Sequence, residues 1–327
     1  MEKAMFYKKK NGQQVQCQLC PHNCVIKEGS VGICRARKNE QGDLYSLNYG
    51  EISSSGVDPV EKKPLYHFYP GSSIMSVGTW GCNFACPFCQ NWRISQENPP
   101  VREMSPSQVV DVALKKNCRG IAYTYSEPLI WYEFVKDTAE LAGEQGLKNI
   151  LVTNGYINQE PLKELLPLID AANVDLKSAG DRFYQDYCQG QRKPVLESIK
   201  LMYKRIHLEI TTLVITDLND NSREMEELFA WIVDELGPEV PLHLSRYYPA
   251  YKLDKQQTSL SMMKYLYSRA AEYLQYVYLG NTGLREFNVT SCPNCGAEVI
   301  DRSGYRVIKS IEKNFCTECG QEIAGEF

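Results

Sequence analysis

Gly81-Cys82-Asn83-Phe84-Ala85-Cys86-Pro87-Phe88-Cys89-Gln90-Asn91 sets three cysteines at C-x3-C-x2-C in one short loop, opened by Gly81 and stiffened by Pro87. Three thiolates at this spacing can meet on one small inorganic centre. A cubane [4Fe–4S] cluster normally takes four cysteines, so three leave one iron open, and an open iron can chelate a small molecule that carries an amine and a carboxylate. The competing reading is a four-cysteine structural site completed by a distant residue. The chain that follows favours the first.

From Ile74 onward short β-rich runs alternate with helical segments. The expected strands are Ile74–Trp80, Gly120–Tyr125, Asn149–Thr153, Asn173–Lys177, Leu208–Ile215 and Val240–Ser245. The expected helices are Ser105–Lys116, Leu129–Ala142, Pro161–Ile169, Pro194–Lys204, Ser222–Leu236 and Ser259–Tyr273. Ser105-Pro106 is a helix-start signal, a capping side chain followed by proline at the first helical position. Six β/α alternations imply parallel strands with right-handed crossovers, hence a partial (β/α)6 barrel. Chemistry in such folds gathers at the carboxyl ends of the strands. Polar residues stand there: Tyr125-Ser126-Glu127 after the second strand, Asn154 after the third, Asp175 and Lys177 after the fourth, Thr211 on the fifth and Arg246 after the sixth. Glu127 can accept from an ammonium group, Asp175 can bind hydroxyls or a cation, and Lys177 can neutralise a carboxylate. Singly each reads as an ordinary rim residue or helix start; together they mark one mouth.

The other cysteines repeat the theme. Eleven of the thirteen fall into three groups, and a chain opening Met1-Glu2-Lys3-Ala4 without an apolar leader is expected to be cytoplasmic, where grouped cysteines read as metal ligands rather than disulfides. Cys17, Cys20, Cys24 and Cys34 form a C-x2-C-x3-C-x9-C knuckle suited to zinc or to a second iron–sulfur cluster. Cys292, Cys295, Cys316 and Cys319 form C-x2-C-x20-C-x2-C with glycine after each pair, the pattern of a zinc ribbon, with a single rubredoxin-type iron as the rival on the same four thiolates and a hairpin expected around Asp301-Arg302-Ser303-Gly304. Cys118 and Cys188 stand alone and read as packing. The division expected is an N-terminal cysteine module over 1–70, the barrel over 71–280 and a ribbon-like module over 281–327. A hydrophobic fraction of 43%, a charged fraction of 23% and a formal net charge of −4 describe a globular chain with no global attraction to nucleic acid or anionic membrane; the ribbon's mixed charge also argues against nucleic acid.

The cluster loop resembles that of the radical S-adenosylmethionine (SAM) enzymes. The whole chain is similar to the radical SAM component of the AmmeMemoRadiSam system, within the group of pyruvate formate-lyase activating enzymes. Further marks are Cys17-Gln18-Leu19-Cys20-Pro21-His22, the run Asp58-Pro59-Val60-Glu61-Lys62-Lys63-Pro64-Leu65-Tyr66-His67-Phe68, Cys89-Gln90-Asn91-Trp92, Thr124-Tyr125-Ser126-Glu127-Pro128, Ser245-Arg246-Tyr247 and the cysteine pairs before Ile323-Ala324-Gly325. The resemblance implies a [4Fe–4S] cluster on Cys82, Cys86 and Cys89, with SAM at its open iron and Phe88 near the adenine. It also implies reductive cleavage of SAM to methionine and a 5′-deoxyadenosyl radical, which takes hydrogen from an unidentified protein or small-molecule substrate. A low-potential donor such as flavodoxin or ferredoxin is implied, as are Memo-like and AMMECR-like companions. The chain departs from the activating enzymes where Tyr125-Ser126 replaces a Gly-Gly pair and Val152 replaces an aspartate. The rival function is a metal-bearing scaffold or electron relay without SAM turnover.

Overall fold

The computed structural model describes residues 1–302 and 306–327. One eight-stranded sheet lies at its centre, built from β1 (Ser54–Pro59), β2 (Ser73–Gly78), β3 (Gly120–Tyr123), β4 (Lys148–Thr153), β5 (Ala171–Asp175), β6 (His207–Val214), β7 (Leu242–Arg246) and β8 (Val277–Gly280). The strands stand side by side in chain order, with β1 and β8 at the two edges. β1 runs antiparallel to β2, and every pairing from β2 to β8 is parallel. The architecture is therefore the expected partial barrel, extended beyond six alternations by β8 and bordered by β1. Because β1 pairs with β2, the expected boundary between residues 70 and 71 falls between two strands of one sheet.

Helices α1 (Pro106–Lys115), α2 (Tyr132–Glu144), α3 (Gln159–Leu165), α4 (Arg192–Tyr203), α5 (Ser222–Leu236) and α6 (Leu260–Ala270) join successive parallel strands. Their starts are written in the sequence. The Ser105 side chain accepts from the Gln108 amide while the Gln108 side chain accepts from the Ser105 amide, and Pro106 occupies the first turn, where its missing N–H is no loss. Asn221 caps α5, whose Met225, Leu228, Phe229, Ile232 and Leu236 are buried at helical spacing. β3 is buried at all four positions, as a strand covered on both faces requires.

Four expected strands end earlier than periodicity suggested, β2 at Gly78 and β6 at Val214 among them. β3 stops at Tyr123, because Tyr125 adopts a φ of +69°, and β5 stops at Asp175, leaving Lys177 in the loop with its amide on the Tyr184 hydroxyl at 3.0 Å.

The N-terminal segment forms two small antiparallel sheets, Tyr7–Lys9 with Val15–Cys17 and Val25–Ile26, and Glu2–Lys3 with Asp43–Ser46 and Arg37–Glu40; Cys17 ends a strand, and Cys20, Cys24 and Cys34 lie in the connections. At the other end Glu298–Asp301 pairs with Thr290–Ser291 and with Ile308–Lys309. Ser303 and Gly304 of the expected hairpin tip lie outside the described residues. The C-terminal segment is tied to the barrel through Phe68, bridged to Glu326, and through His67, whose Nδ1 lies 2.5 Å from the Ala324 carbonyl. Among the described residues no helix is long and apolar enough to cross a membrane.

Candidate active site and metal centres

The cysteine loop leaves the carboxyl end of β2 through Gly81. Its φ is +91°, and a Cβ there would stand 2.7 Å from the Cys34 carbonyl oxygen, so the loop can lie against the N-terminal module only with glycine at this point. Neighbouring segments then fix the loop backbone. The Gly81 amide donates to the Ile94 carbonyl at 2.9 Å, the Ala85 amide to Cys188 at 3.1 Å, and the Lys252 amide to Pro87 at 2.9 Å. Asn83 donates through Nδ2 to the Tyr156 carbonyl at 2.7 Å and accepts through Oδ1 from Asn154 at 2.9 Å.

Cys82, Cys86 and Cys89 open together into a cavity of about 570 Å³, a size suited to a cofactor with a small substrate. Hydrogen bonds already reach the sulfurs: the Phe84 amide lies 3.3 Å from Cys82 Sγ, Asn154 Nδ2 lies 3.7 Å from the same atom, and Ser95 Oγ lies 3.2 Å from Cys89 Sγ. Burial holds the Cys82 and Cys89 thiols above their ordinary pKa. At Cys86 a hydrogen bond with the Cys188 thiol acts first and burial second. A metal centre taking these sulfurs as thiolates therefore displaces protons. The residues fit the cluster: Cys86 is buried, Cys82 and Cys89 partly so, all three line one cavity, and hydrogen-bond donors already reach Cys82 and Cys89.

Of the residues expected at the mouth, Phe88, Tyr125, Ser126, Glu127, Asn154, Asp175, Lys177 and Thr211 all line this cavity. Arg246 is outside its lining, with Nε donating to the Thr258 carbonyl at 2.6 Å and Nη1 to the Tyr248 hydroxyl at 3.0 Å. Glu127 is 2% exposed. Its Oε1 accepts from the Leu129 amide at 3.0 Å and from Thr153 Oγ1 at 2.5 Å, and Oε2 accepts from the Asn154 amide at 2.8 Å. Burial nevertheless pushes its carboxyl up to about 7, against these three hydrogen bonds. The Ser126 hydroxyl is buried with no partner among the described residues, an orphaned donor and acceptor at the wall that suits a polar ligand. Lys177 Nζ lies 2.9 Å from Asp175 Oδ2. Burial alone would lower this ammonium, but Asp175 and the nearby cysteines more than reverse it. The Phe88 ring packs against Phe183, centroids 5.7 Å apart and planes tilted by 43°, and Thr211 donates to Asn173 Oδ1 at 2.8 Å.

Lys63 is a wall residue that strand-end reasoning missed. It is 3% exposed, pairs with Asp58 at 2.9 Å and stands 4.8 Å above the Tyr125 ring. Its only signal was the charged run from Asp58 to Lys63. His243 and Asn281 also reach the lining, from strands β7 and the end of β8. Cys188 was read as packing, and its thiol contact with Cys86 comes from a segment far away in the chain.

The C-terminal quartet is compact. Cys292 Sγ and Cys319 Sγ are 3.6 Å apart, Cys295 Sγ and Cys316 Sγ 3.8 Å, and all four lie within 4.8 Å of one another. Four thiolates about 2.3 Å from one tetrahedral ion stand about 3.8 Å apart, so the site is prepared for a single metal ion. Gly296 and Gly320, at φ +73° and +74°, close the two knuckles by returning their amides to the Cys292 and Cys316 carbonyls at 2.9 Å each. Cys17, Cys20, Cys24 and Cys34 line a second, smaller cavity.

The radical SAM superfamily pattern matches residues 77–232, the cysteine loop and the strands from β3 to β6. Uncharacterized protein MJ0808 of Methanocaldococcus jannaschii is 45% identical over 332 residues, covering 99% of this chain and 99% of its own length. The pyruvate formate-lyase 1-activating enzyme of Escherichia coli K12 is 27% identical over 156 residues, 45% of this chain and 63% of that protein. In fold, a radical SAM methyltransferase from Sphaerobacter thermophilus superposes with a TM-score of 0.51 at 14% identity, over 65% of this chain and 67% of that one. With cysteine loop, strand order and cavity in agreement, the chain is a member of the radical SAM superfamily and an enzyme of that class.

Proposed function

We propose that the chain cleaves SAM reductively at a [4Fe–4S] cluster on Cys82, Cys86 and Cys89, giving a 5′-deoxyadenosyl radical that takes hydrogen from a substrate at the barrel mouth. The observation that carries this reading is the one cavity shared by the three cysteines with Ser126, Glu127, Asn154, Asp175 and Lys177. When bound, the cluster and SAM supply one-electron scission of a carbon–sulfur bond; the protein positions, shields and orients. Glu127, buried and short of positive charge, accepts the amino group of SAM, and Ser126 bonds beside it. Asn154 holds Cys82 and Asn83 in register. Asp175 takes ribose hydroxyls or a cation, Lys177 balances a carboxylate, and Phe88 flanks the adenine. Thr211 and Lys63 face the remaining space, which we assign to substrate.

The C-terminal quartet holds zinc in this reading, and the modules divide as 1–70, 71–280 and 281–327, with β1 of the first joining the sheet of the second. A flavodoxin or ferredoxin supplies the electron in the cytoplasm, and Memo-like and AMMECR-like proteins are the proposed companions. The test uses anaerobic, iron-reconstituted full chain, reduced with dithionite in the presence of SAM. Equal release of 5′-deoxyadenosine and methionine, lost in Cys86→Ala, is expected. An intact, reduced cluster with neither cleavage nor affinity for SAM would sink the proposal and leave the scaffold.

A further inference from the structure

Three cysteine groups with three geometries can be compared within one molecule. Among the described residues, the C-terminal quartet is the only set of three or more Cys, His, Asp or Glu whose ligand atoms all lie within 4.8 Å of one another. The loop triad Cys82, Cys86 and Cys89, which the family uses for a cluster, is wider than that. So is the N-terminal group, although Cys17, Cys20, Cys24 and Cys34 line one cavity together. Sulfurs that share a cavity but stand too far apart for a single tetrahedral ion frame a larger centre.

A second observation is independent of spacing. Arg37 lines the same cavity and is 1% exposed. Its Nη2 is bidentate with Glu133 at 2.8 Å to each oxygen, and Nη1 donates to the Met5 carbonyl at 3.2 Å, yet Nε has no partner among the described residues. A buried guanidinium N–H without an acceptor is costly. Four neutral thiols offer it only weak acceptors, whereas an iron–sulfur cluster on four thiolates is anionic and accepts N–H hydrogen bonds at its sulfurs. The remaining lining is His22, Gly32 and the apolar Leu19, Ile26 and Ile130.

We propose that Cys17, Cys20, Cys24 and Cys34 ligate a second [4Fe–4S] cluster, with Arg37 Nε donating to one of its sulfurs. This cluster sits against the back of the radical SAM loop. His22, between Cys20 and Cys24, has Nε2 2.7 Å from the Asn83 carbonyl, and the Cys34 carbonyl presses on Gly81. The N-terminal module is accordingly a cluster-holding wall of the barrel rather than a zinc finger.

The deciding experiment counts metals and needs no turnover. Full-length Cys82→Ala/Cys86→Ala/Cys89→Ala protein is reconstituted anaerobically with ferrous iron and sulfide, desalted, and assayed for iron, acid-labile sulfide and zinc, with circular dichroism as a check on folding. About four irons and four sulfides per chain are expected to remain, beside the ion of the C-terminal quartet, and the reduced protein is expected to give a cluster spin-resonance signal. The complementary Cys20→Ala/Cys24→Ala protein, with its loop triad intact, is expected to lose about half of the wild-type iron. A folded triple variant that holds an extra zinc, or no metal, in place of iron and sulfide overturns the proposal whether or not the wild type cleaves SAM.

Discussion

Glu127 and Glu209 are both buried glutamates on the same sheet, and their surroundings push them in opposite directions. Glu127 follows β3 and accepts from two amides and a hydroxyl; burial outweighs these and raises its carboxyl to about 7. Glu209, on β6, is also desolvated, but His207 and His243 lie 3.0 and 2.6 Å from its oxygens and hold it well below the usual carboxylate range. It also accepts from the Tyr66 and His67 amides at 3.0 and 2.7 Å. One acid is satisfied and ties the segment before β2 to the sheet. The other has no cationic partner among the described residues, and in the proposed function a ligand ammonium completes it. Burial and hydrogen bonding alone do not separate structure from function here; counter-charge does.

The largest effect follows from the satisfied acid. Glu209→Ala leaves two backbone amides and two imidazoles without their acceptor, so it should cost about 3–5 kcal/mol of unfolding free energy, read from urea melts. Glu127→Gln keeps the shape and most of the hydrogen bonds, and should cost about 1 kcal/mol or less while weakening SAM binding at least about tenfold, the equivalent of one lost charged hydrogen bond. Equal stability losses in the two variants would break the comparison.

The pH dependence separates the two acids next. Between 4.5 and about 7, ligand-free folded chain keeps a proton on Glu127 that the unfolded chain has released. This contribution therefore makes stability fall as pH rises through the window, by up to about 3 kcal/mol. His67 and Glu209 act with the other sign. Burial lowers His67 from 6.5 to about 3, so the unfolded chain binds the extra proton and stability is lost as pH falls below 6.5; Glu209 adds to this below its ordinary 4.5. Subtracting the Glu127→Gln curve from wild type cancels the His67 and Glu209 contributions. The difference should decline from pH 5 to 7, and a flat difference would mean that Glu127 is already ionised.

How much of this was legible in the sequence depended on distance along the chain. The β/α alternation was readable because each helix carries its own caps and apolar stripe, as Ser105 with Gln108 and Asn221 with Met225 to Leu236 illustrate. Mouth residues such as Glu127 and Asn154 were readable because they immediately follow strands. β8 was not: Val277-Tyr278-Leu279-Gly280 is four residues long, and its Tyr278 meets partners far away in the chain or in the C-terminal segment, His67 at 2.6 Å and Thr290 at 2.7 Å. β1 hid for a similar reason, since Ser54-Ser55-Gly56-Val57-Asp58-Pro59 has little strand propensity and is drawn in by its pairing with β2. Lys63, Cys188 and the partners of Glu209 meet their neighbours across long stretches of sequence, which no local pattern encodes.

Asp58 offers the finest test, because it is a third acid, one residue removed from the cavity wall and already supplied with a cation. Burial would raise it, but Lys63 at 2.9 Å, together with Lys62 and the Tyr125 hydroxyl at 3.0 Å, holds it down to about 2. If counter-charge is what divides the two classes of acid, Asp58 belongs with Glu209 although its partner Tyr125 lines the same cavity as Glu127. Tyr125→Phe removes one neutral donor and leaves the Lys63 pair in place, so stability should drop by only about 1 kcal/mol. The decline between pH 5 and 7 should persist unchanged in this variant, since that slope belongs to Glu127. Loss of the decline in Tyr125→Phe would instead couple the two acids through the Tyr125 loop, and would make the charge state of the cofactor end depend on the Asp58–Lys63 pair.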